Sequence, residues 1–600
     1  MKIIEIDIII VTFNSQDWII GCLDSIKESL YPQRKIYITV VDNKSTDHTR
    51  DHLEDYFKNY EKEFGGISLI YLDENKGFGA ANNIGVEGAK TDFCLLLNAD
   101  AELTPNALAR LMEVVSKSNE DVAMWELKQK PFEHPKIYDP LTREVSWCSG
   151  ASCLIKRDVF LSVGGFDESI FMYAEDVDLS WRIRKEGYKL HYIPECEVFH
   201  DTMIGNNPEK QSFKKYHSIV NNLLLRAKFG NWFVYITGVI FYVLYTMTHL
   251  KTELGKKLFF HFPQQFVKGL KYHRVTRATF EPKFYQFDYE ISKGDENYKI
   301  QEGPYGNNVI SIIIRSIGRE NYLKECLKSL ENQTYKNIEL VIIEDGSNKL
   351  QEKLSTLSKS LKVIYHSTGL KVGRAKAGNI GLGLATGKYM NFLDEDDILL
   401  NDHCEVLIQE LSLCPDYKVA YSLSIEAPLK EGSFSEQFTA MKDFFSVNFN
   451  EQHEIKRLFQ DNYLPIQTVM FSREMFLNFG GFDESLDALE DWDLWMKYAL
   501  ETHFLYVGKV TSIYRVPFDV LEYASRQMVL SNNRKIIIDK YKNHTLLNVD
   551  NIKKRHKKRY LLQNVWCKFK KSHQYNIKLF ILKLKRRICF QSLKIVNKGG

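Results

Sequence analysis

The hexapeptide GGFDES occurs twice, at Gly164–Ser169 and Gly480–Ser485, and the sequence around the two copies matches in order. A duplication of this length constrains the fold more than any single motif, because each half must close its own core. The β-branched runs IDIIIVTF (6–13) and VISIIIRS (309–316) read as buried strands. Each leads into a helical pattern, IIGCLDSIKESL and YLKECLKSLENQ, and then a second strand, IYITVVDNKSTD and IELVIIEDGSNK. A third strand ends at SLIYLDENKGFG and KVIYHSTGLKVG. A Gly-rich loop then opens a helix, and a fourth strand ends in FCLLLNAD and YMNFLDEDD. Alternating strands and helices predict an α/β chain with a mainly parallel sheet in each half and right-handed crossovers. Ligands of such sheets sit beyond the carboxyl ends of the strands, where Asp42, Asp100, Asp345 and Asp396 fall.

At 600 residues the chain is too long for one core. Its 44% apolar and 26% charged composition is that of a folded protein. Ten scattered cysteines form no CxxC pair, which favours buried thiols over a disulfide scaffold or a zinc site. The N-terminal MKIIEIDIIIV is interrupted by Glu5 and Asp7, so it does not read as a signal peptide. Residues 551–600 hold 16 Lys/Arg and no acid, so the rest of the chain is net acidic.

The ordered motifs IIIVTFN, VVDNKSTD, NKGFGAANN, LLLNAD and GGFDESIFMYAEDVDLSWR resemble family 2 glycosyltransferases, in particular their rhamnosyltransferase-like branch. ECLKSLENQTYKNIELVIIEDGS, FLDEDD and GGFDESLDALEDWDLW resemble the general family pattern. The resemblance covers about residues 5–230 and 308–530. It implies two GT-A (Rossmann-like) domains, at 1–230 and 306–535, joined by a helical spacer at 231–305 and followed by a basic helical tail at 536–600.

Such a transferase must hold a nucleoside diphosphate, stabilise it as it leaves and deprotonate an acceptor hydroxyl. A divalent cation, Mn2+ or Mg2+, takes hard oxygen ligands and neutralises the departing charge. Asp394 and Asp396 in LDEDD fill the family's DxD pattern as metal ligands. In the first half Asn98 replaces the first acid, Asp100 remains, and the resemblance offers His200 as a further ligand. It also implies that Asp42 and Asp345 accept from the nucleotide's pyrimidine ring, and that Thr12 and Asn14 contact the base. Half two has Arg315 and Arg319 in that region, either to meet phosphate or to line the site. The loops at Gly77 and Gly373 open helices carrying Asn83, Arg374, Lys376 and Asn379, and a helix N-terminus behind glycine suits phosphate. Asp176 and Asp491 match the family's catalytic base. The adjacent Glu175 and Glu490 are expected to raise the base's pKa by like-charge repulsion. One base and a direct displacement invert the anomeric carbon.

Trp232–Met247 is an apolar run too short for a full bilayer core, and reads as either an interfacial hairpin or a packed linker. The tail interleaves Lys/Arg with aromatic and aliphatic residues, which suits an anionic lipid surface better than nucleic acid. The expected protein is cytoplasmic and peripheral at the inner face of the plasma membrane. It moves sugars from dTDP-rhamnose or a UDP-sugar to a lipid-linked or polymeric cell-surface glycan. Two alternatives stand beside this: one active domain with the other holding the acceptor, and a non-catalytic glycan-binding scaffold.

Overall fold

The computed structural model describes residues 3–200, 208–275, 282–290, 292–295, 298–301, 306–357, 361–429, 432–441, 445–448 and 455–542. The basic tail lies outside the described residues beyond Lys542. The chain divides into two compact units, 1–138 with 142–292, and 139–141 with 293 onward. The helices expected as a spacer therefore pack within the first unit.

The first unit holds β1 (Ile6–Thr12), β2 (Ile36–Asp42), β3 (Gly66–Tyr71), β4 (Phe93–Asn98), β5 (Glu102–Leu103), β6 (Val122–Lys130), β7 (Ser152–Lys156) and β8 (Lys189–Phe199). The second holds β9 (Ile310–Ser316), β10 (Ile338–Glu344), β11 (Lys362–Ser367), β12 (Tyr389–Asp394), β13 (Ile398–Leu399), β14 (Val419–Leu429), β15 (Ser446–Asn448), β16 (Val469–Ser472) and β17 (Phe504–Pro517). The sheet orders are β3-β2-β1-β4-β7-β6-β8-β5 and β11-β10-β9-β12-β16-β14-β17-β13, with β15 paired to β14. Both are mixed. β1 to β4 and β9 to β12 run parallel, and β7 and β16 join them antiparallel.

The isoleucine runs explain the central strands. Ile8 and Ile10 face Cys22, Leu23 and Ile26 in one core. Ile9 faces the opposite way, under helix Phe78–Glu87, so both faces of the strand are covered. A Cβ on Gly85 would come 2.4 Å from Ile9 Cγ2, and one on Gly381 2.4 Å from Ile313 Cγ2. The same close helix–sheet approach is thus built twice.

GGFDES forms one turn in both units. Gly164 and Gly480 have φ of 82° and 76°, a region that disfavours other residues. Asn83 donates from Nδ2 to Phe166 O at 3.0 Å and accepts from Phe166 N at 2.7 Å. Asn379 repeats both bonds with Phe482 at 3.0 and 2.7 Å. The clamp needs a residue without Cβ beside it. On Gly165 that carbon would lie 2.5 Å from Asn83 Oδ1, and on Gly481 2.2 Å from Asn379 Oδ1. Behind the turn, Lys228 joins Asp167 (2.9 Å) to Asp178 (2.6 Å), and Lys540 joins Asp483 (2.7 Å) to Asp493 (2.8 Å). In each unit one lysine therefore ties the turn to the acidic helix that follows, Glu175–Lys185 or Glu490–Ala499.

Helices Pro208–Phe229, Trp232–His249 and Glu253–Val275 complete the first unit. Trp232–His249 buries Tyr235, Gly238, Tyr242 and Thr246 and exposes Ile236, Ile240, Leu244 and Met247. It is the one helix among the described residues long and apolar enough to cross a membrane.

Gly481→Ala should destabilise the second unit by about 1–3 kcal/mol, because the methyl group displaces the asparagine clamp. In denaturant titrations, Gly481→Ala combined with Asn379→Ala should cost less than the sum of the two single changes. Strict additivity would show that the two residues do not form one device.

Candidate active sites at the strand ends

In the first unit the acidic helix opens on two residues in left-handed conformation, Tyr173 (φ 66°) and Ala174 (φ 70°). Non-glycine residues hold that conformation only when their surroundings enforce it. Asn221 does so, donating to Met172 O at 2.9 Å and Tyr173 O at 2.7 Å. Asp176 follows in the first helical turn. It accepts from Gly150 N at 3.1 Å and Val177 N at 2.8 Å. The next residue, Ala151, accepts from Asn98 N at the end of β4 at 2.9 Å, so Asp176 and the strand-end pair Asn98 and Asp100 converge. Burial pushes the Asp176 carboxyl up, against backbone N–H groups and the Lys136 ammonium. Burial, then Asp176, pushes Glu175 well up, and its Oε2 has no hydrogen-bond partner. For Asp176 the raising cause is burial, and the like-charge repulsion expected on it is felt by Glu175 instead.

Asp100, Asn98 and His200 meet at the ends of β4 and β8. His200 Nδ1 lies 3.0 Å from Gln129 Oε1, an acceptor, which assigns the proton to Nδ1. Nε2 then presents a lone pair 3.3 Å from Asp100 Oδ1. Two acceptors facing at that distance fit a cation between them. Asn98 Nδ2 lies 3.4 Å from the same Nε2, and the buried Asn98 Oδ1 has no partner. Imidazole and carboxylate, with Gln129 orienting the ring, and the amide oxygen once the Asn98 amide turns over, are donors of the kind that suit Mn2+ or Mg2+.

The second unit is built differently at the same place. Leu489 (φ 62°) precedes its acidic helix. Asp491 accepts from Asn462 Nδ2 at 3.1 Å and Trp492 N at 2.8 Å. Burial, followed by the Glu490 charge, pushes Asp491 up to about 7. Arg315, at the end of β9, donates from Nε to Asp394 Oδ1 at 2.8 Å and from Nη1 to Glu490 Oε1 at 2.6 Å. One buried guanidinium thus connects the DxD strand to the acidic helix. Arg319 donates to Glu395 at 2.6 Å and to Asp396 at 2.8 Å. Burial opposes it, but Arg315 and then Arg374 hold the Asp394 carboxyl below the usual range. Asp394 and Asp396, expected as metal ligands, are therefore each engaged by a guanidinium.

Strand register corrects one pairing. Thr12 lies opposite Asp42, and Ser316 opposite Glu344, so Glu344 rather than Asp345 is the equivalent of Asp42. Asn43 is the equivalent of Asp345: Asn43 N donates to Thr12 O at 2.8 Å, and Asp345 N to Ser316 O at 2.7 Å. Both hold the Gly-rich loop. Asn43 accepts from Lys76 N at 2.8 Å and donates to Gly77 O at 3.1 Å. Asp345 accepts from Val372 N at 2.6 Å and Gly373 N at 3.0 Å. The Asp42 carboxylate is taken by Thr12 Oγ1 (3.0 Å), Ser45 N (3.1 Å) and Arg50. Asn14, at φ 52°, accepts from Thr46 N at 2.8 Å. Asn83 and Asn379, expected to touch the sugar donor, spend both ends of their amides on the GGFDES turn. Glu344, Asp345, Gly346, Lys349 and Lys371 line an open cavity of about 260 Å³ at the end of β10.

The first four strands and the strand-end residues Asn98, Asp100, Asp394 and Asp396 fall within the ranges that match the model of glycosyl transferase family 2, at 7–162 and 311–477, and Asp176, His200 and Asp491 lie just beyond them. The chain belongs to glycosyl transferase family 2. A Rickettsia felis "uncharacterized glycosyltransferase" is 24% identical, over 85% of this chain and 79% of its own length, so the match spans both domains. An N-acetylglucosaminyl-diphospho-decaprenol L-rhamnosyltransferase of Mycobacterium tuberculosis is 24% identical, over 34% of this chain and 79% of its own length. A Haemophilus influenzae "uncharacterized glycosyltransferase" is 28% identical over 33% of this chain, which spans 64% of that relative. Among solved structures, a Pyrobaculum calidifontis mannosyltransferase in complex with GDP-Man and Mn2+ matches 36% of this chain and 62% of its own, at 20% identity and a TM-score of 0.31.

For a family 2 transferase the base must be ionised to take a proton. Asp491 at about 7 is mostly protonated below neutrality, so transfer by the second domain should rise with pH and level off above about 7. A pH–rate profile of kcat/KM in a variant carrying Asp176→Asn checks this. A flat profile from pH 5 to 8 would remove Asp491 as the base.

Proposed function

We propose that the chain is a two-site inverting glycosyltransferase that moves sugars from nucleotide donors onto a cell-surface glycan. The observation that carries this is the repeated placement of a partly buried carboxyl in the first turn of a helix, Asp176 or Asp491, beside the strand ends of its own domain, where Asp176 accepts from Gly150 N and Arg315 ties the neighbouring Glu490 to Asp394. In each site the acceptor hydroxyl gives its proton to that carboxylate, and its oxygen forms a bond to the anomeric carbon. The bond from that carbon to the β-phosphate oxygen breaks, and its electron pair leaves with the nucleoside diphosphate. Attack from the face opposite the leaving group inverts the configuration. Gly77 and Gly373, at φ of 87° and 91°, end loops that place helix N-termini near the phosphates. In the first domain Asp100, His200 Nε2 and Asn98 Oδ1 would hold a divalent cation. Such a cation supplies charge neutralisation of the leaving diphosphate.

The M. tuberculosis relative supports a rhamnosyl donor and a lipid-linked acceptor for one of the sites. The unlike strand ends of the two domains favour different donors, and equally suit a second reading in which one domain catalyses and the other holds the acceptor. Asp176→Asn and Asp491→Asn, assayed separately for nucleotide release with a panel of nucleotide sugars, separate the readings. Two sites predict that each change removes one transfer, by about 10²–10⁴-fold, and spares the other. Loss of all transfer from one change alone, with no effect of the other, supports the single-site reading.

We also propose a peripheral position at the inner face of the plasma membrane. Phe233, Ile236, Ile240, Leu244 and Met247 leave an apolar stripe of helix Trp232–His249 exposed, with Phe259 and Phe260 exposed on the next helix. Lys256 and Lys257, exposed on that helix, suit anionic headgroups. Sedimentation with phosphatidylglycerol vesicles should fall at least fivefold for Ile240→Asp with Leu244→Asp, and phosphatidylcholine vesicles should bind less than phosphatidylglycerol ones. Unchanged sedimentation of the double variant would leave the stripe without a lipid role.

A further inference from the structure

The two domains form an internal comparison at the position where a divalent cation would sit. Register makes Val11 the equivalent of Arg315, because Val11 lies opposite Asn98 and Arg315 opposite Asp394. A neutral pair in the first domain is a charged pair in the second. The first acid of DxD is present only where a guanidinium faces it.

The other side of the site changes with it. β5 pairs Leu103 with Val198, and β13 pairs Leu399 with Ser512. Two residues further along stand His200 in the first domain and Tyr514 in the second. The imidazole that faces Asp100 is therefore a phenol, and Tyr514 Oη accepts from Arg526 Nη2. The charges of Asp397, Asp396 and Asp394 also act on Arg526, after the Tyr514 hydroxyl. Arg319 Nη2 holds Asp396 at 2.8 Å, and Arg374 stands in the first turn of the helix behind Gly373.

These residues do not fit a divalent cation. A dication against Asp394 and Asp396 would lie in contact with Arg315 and Arg319, and like charges at that separation repel by several kcal/mol in a partly buried site. Among the described residues no imidazole joins the acids to complete the donor set. Arginine supplies what a diphosphate needs from the protein: fixed positive charge and N–H groups in a planar fork. The half-exposed Arg319 uses Nε and Nη2 on carboxylates, and neither bond engages Nη1.

We propose that the second domain binds its nucleoside diphosphate without a metal ion, with Arg319 contacting the diphosphate and Arg315 and Arg526 balancing the DxD carboxylates. Asp394 then serves as the counter-ion that sets Arg315. This rests on the reading of the second domain as a sugar-donor site. The electron pair released on transfer goes to the β-phosphate oxygen, and the guanidinium meets that charge.

The test is calorimetry on the full chain carrying Asp100→Ala and His200→Ala, so that the first domain's cation site is gone. UDP, dTDP, GDP, CDP and ADP are titrated in EDTA and again in Mn2+. At least one should bind in EDTA with a Kd within twofold of its value in Mn2+. Arg319→Gln in that background should weaken it at least tenfold, and Arg319→Lys less. Melting curves should show both Arg319 variants folded, since the side chain is half exposed. Binding in Mn2+ alone, or binding indifferent to Arg319→Gln, overturns the proposal and leaves the donor-site reading standing. If no nucleotide binds in either condition, the donor-site reading of the second domain falls, and the proposal with it.

Discussion

A partly buried carboxyl group in the first turn of a helix is the constraint around which each domain is organised. Desolvation disfavours its charged form, so the fold must hold it in place and leave it a way to titrate. Both domains do this with the same parts. A left-handed residue swings the chain into the helix, backbone N–H groups take one side of the carboxylate, and a lysine from a later helix ties GGFDES to the helix. The two glycines of that motif serve the asparagine clamp. The acid's own environment then sets its pKa, through burial in the first domain and burial with a neighbouring glutamate in the second.

The two domains diverge one strand away. Where the first presents an imidazole, a carboxylate and an unpartnered amide oxygen, the second presents arginines already holding the acids. The difference is concerted. Val11, Asn98 and His200 are uncharged or weakly basic, whereas the buried Arg315 and the partly exposed Asp394 arise together as an ion pair. A lone Arg315 would be an uncompensated buried charge. The two domains thus keep the acid at the helix start while exchanging the residues at the strand ends.

Much of this was legible in the chain. The β-branched runs, turn residues and matched motif order located the two sheets, because buried parallel strands carry a local signal. The acids at the helix starts were legible from the repeated GGFDES. The pairing of Asp42 with Asp345 was not, because the eye aligns identical letters while the sheet aligns hydrogen-bond register, and the two differ here by one residue. The donor-contact expectation for Asn83 and Asn379 failed for another reason: their partners, Phe166 and Phe482, lie 83 and 103 residues away. Arg315 with Asp394 and Glu490 is equally non-local, so a DxD motif read alone looks like a metal site even where guanidinium groups fill it. The equivalence of Tyr514 to His200 emerges only from the pairing of β5 with β8 and β13 with β17.

In the proposed function each domain holds one nucleoside diphosphate between its Gly-rich loop and its strand ends, facing the acid at its own helix start. The most direct measurement is a crystal structure of the full chain with a bound nucleoside diphosphate. The account predicts a β-phosphate within hydrogen-bond reach of the Gly77 loop and the Asp100–His200 pair in the first domain. In the second it predicts one at the Gly373 loop and Arg319, with Asp491 across the cleft. A diphosphate bound away from those strand ends, or on the side of the sheet remote from Asp176 and Asp491, would contradict it.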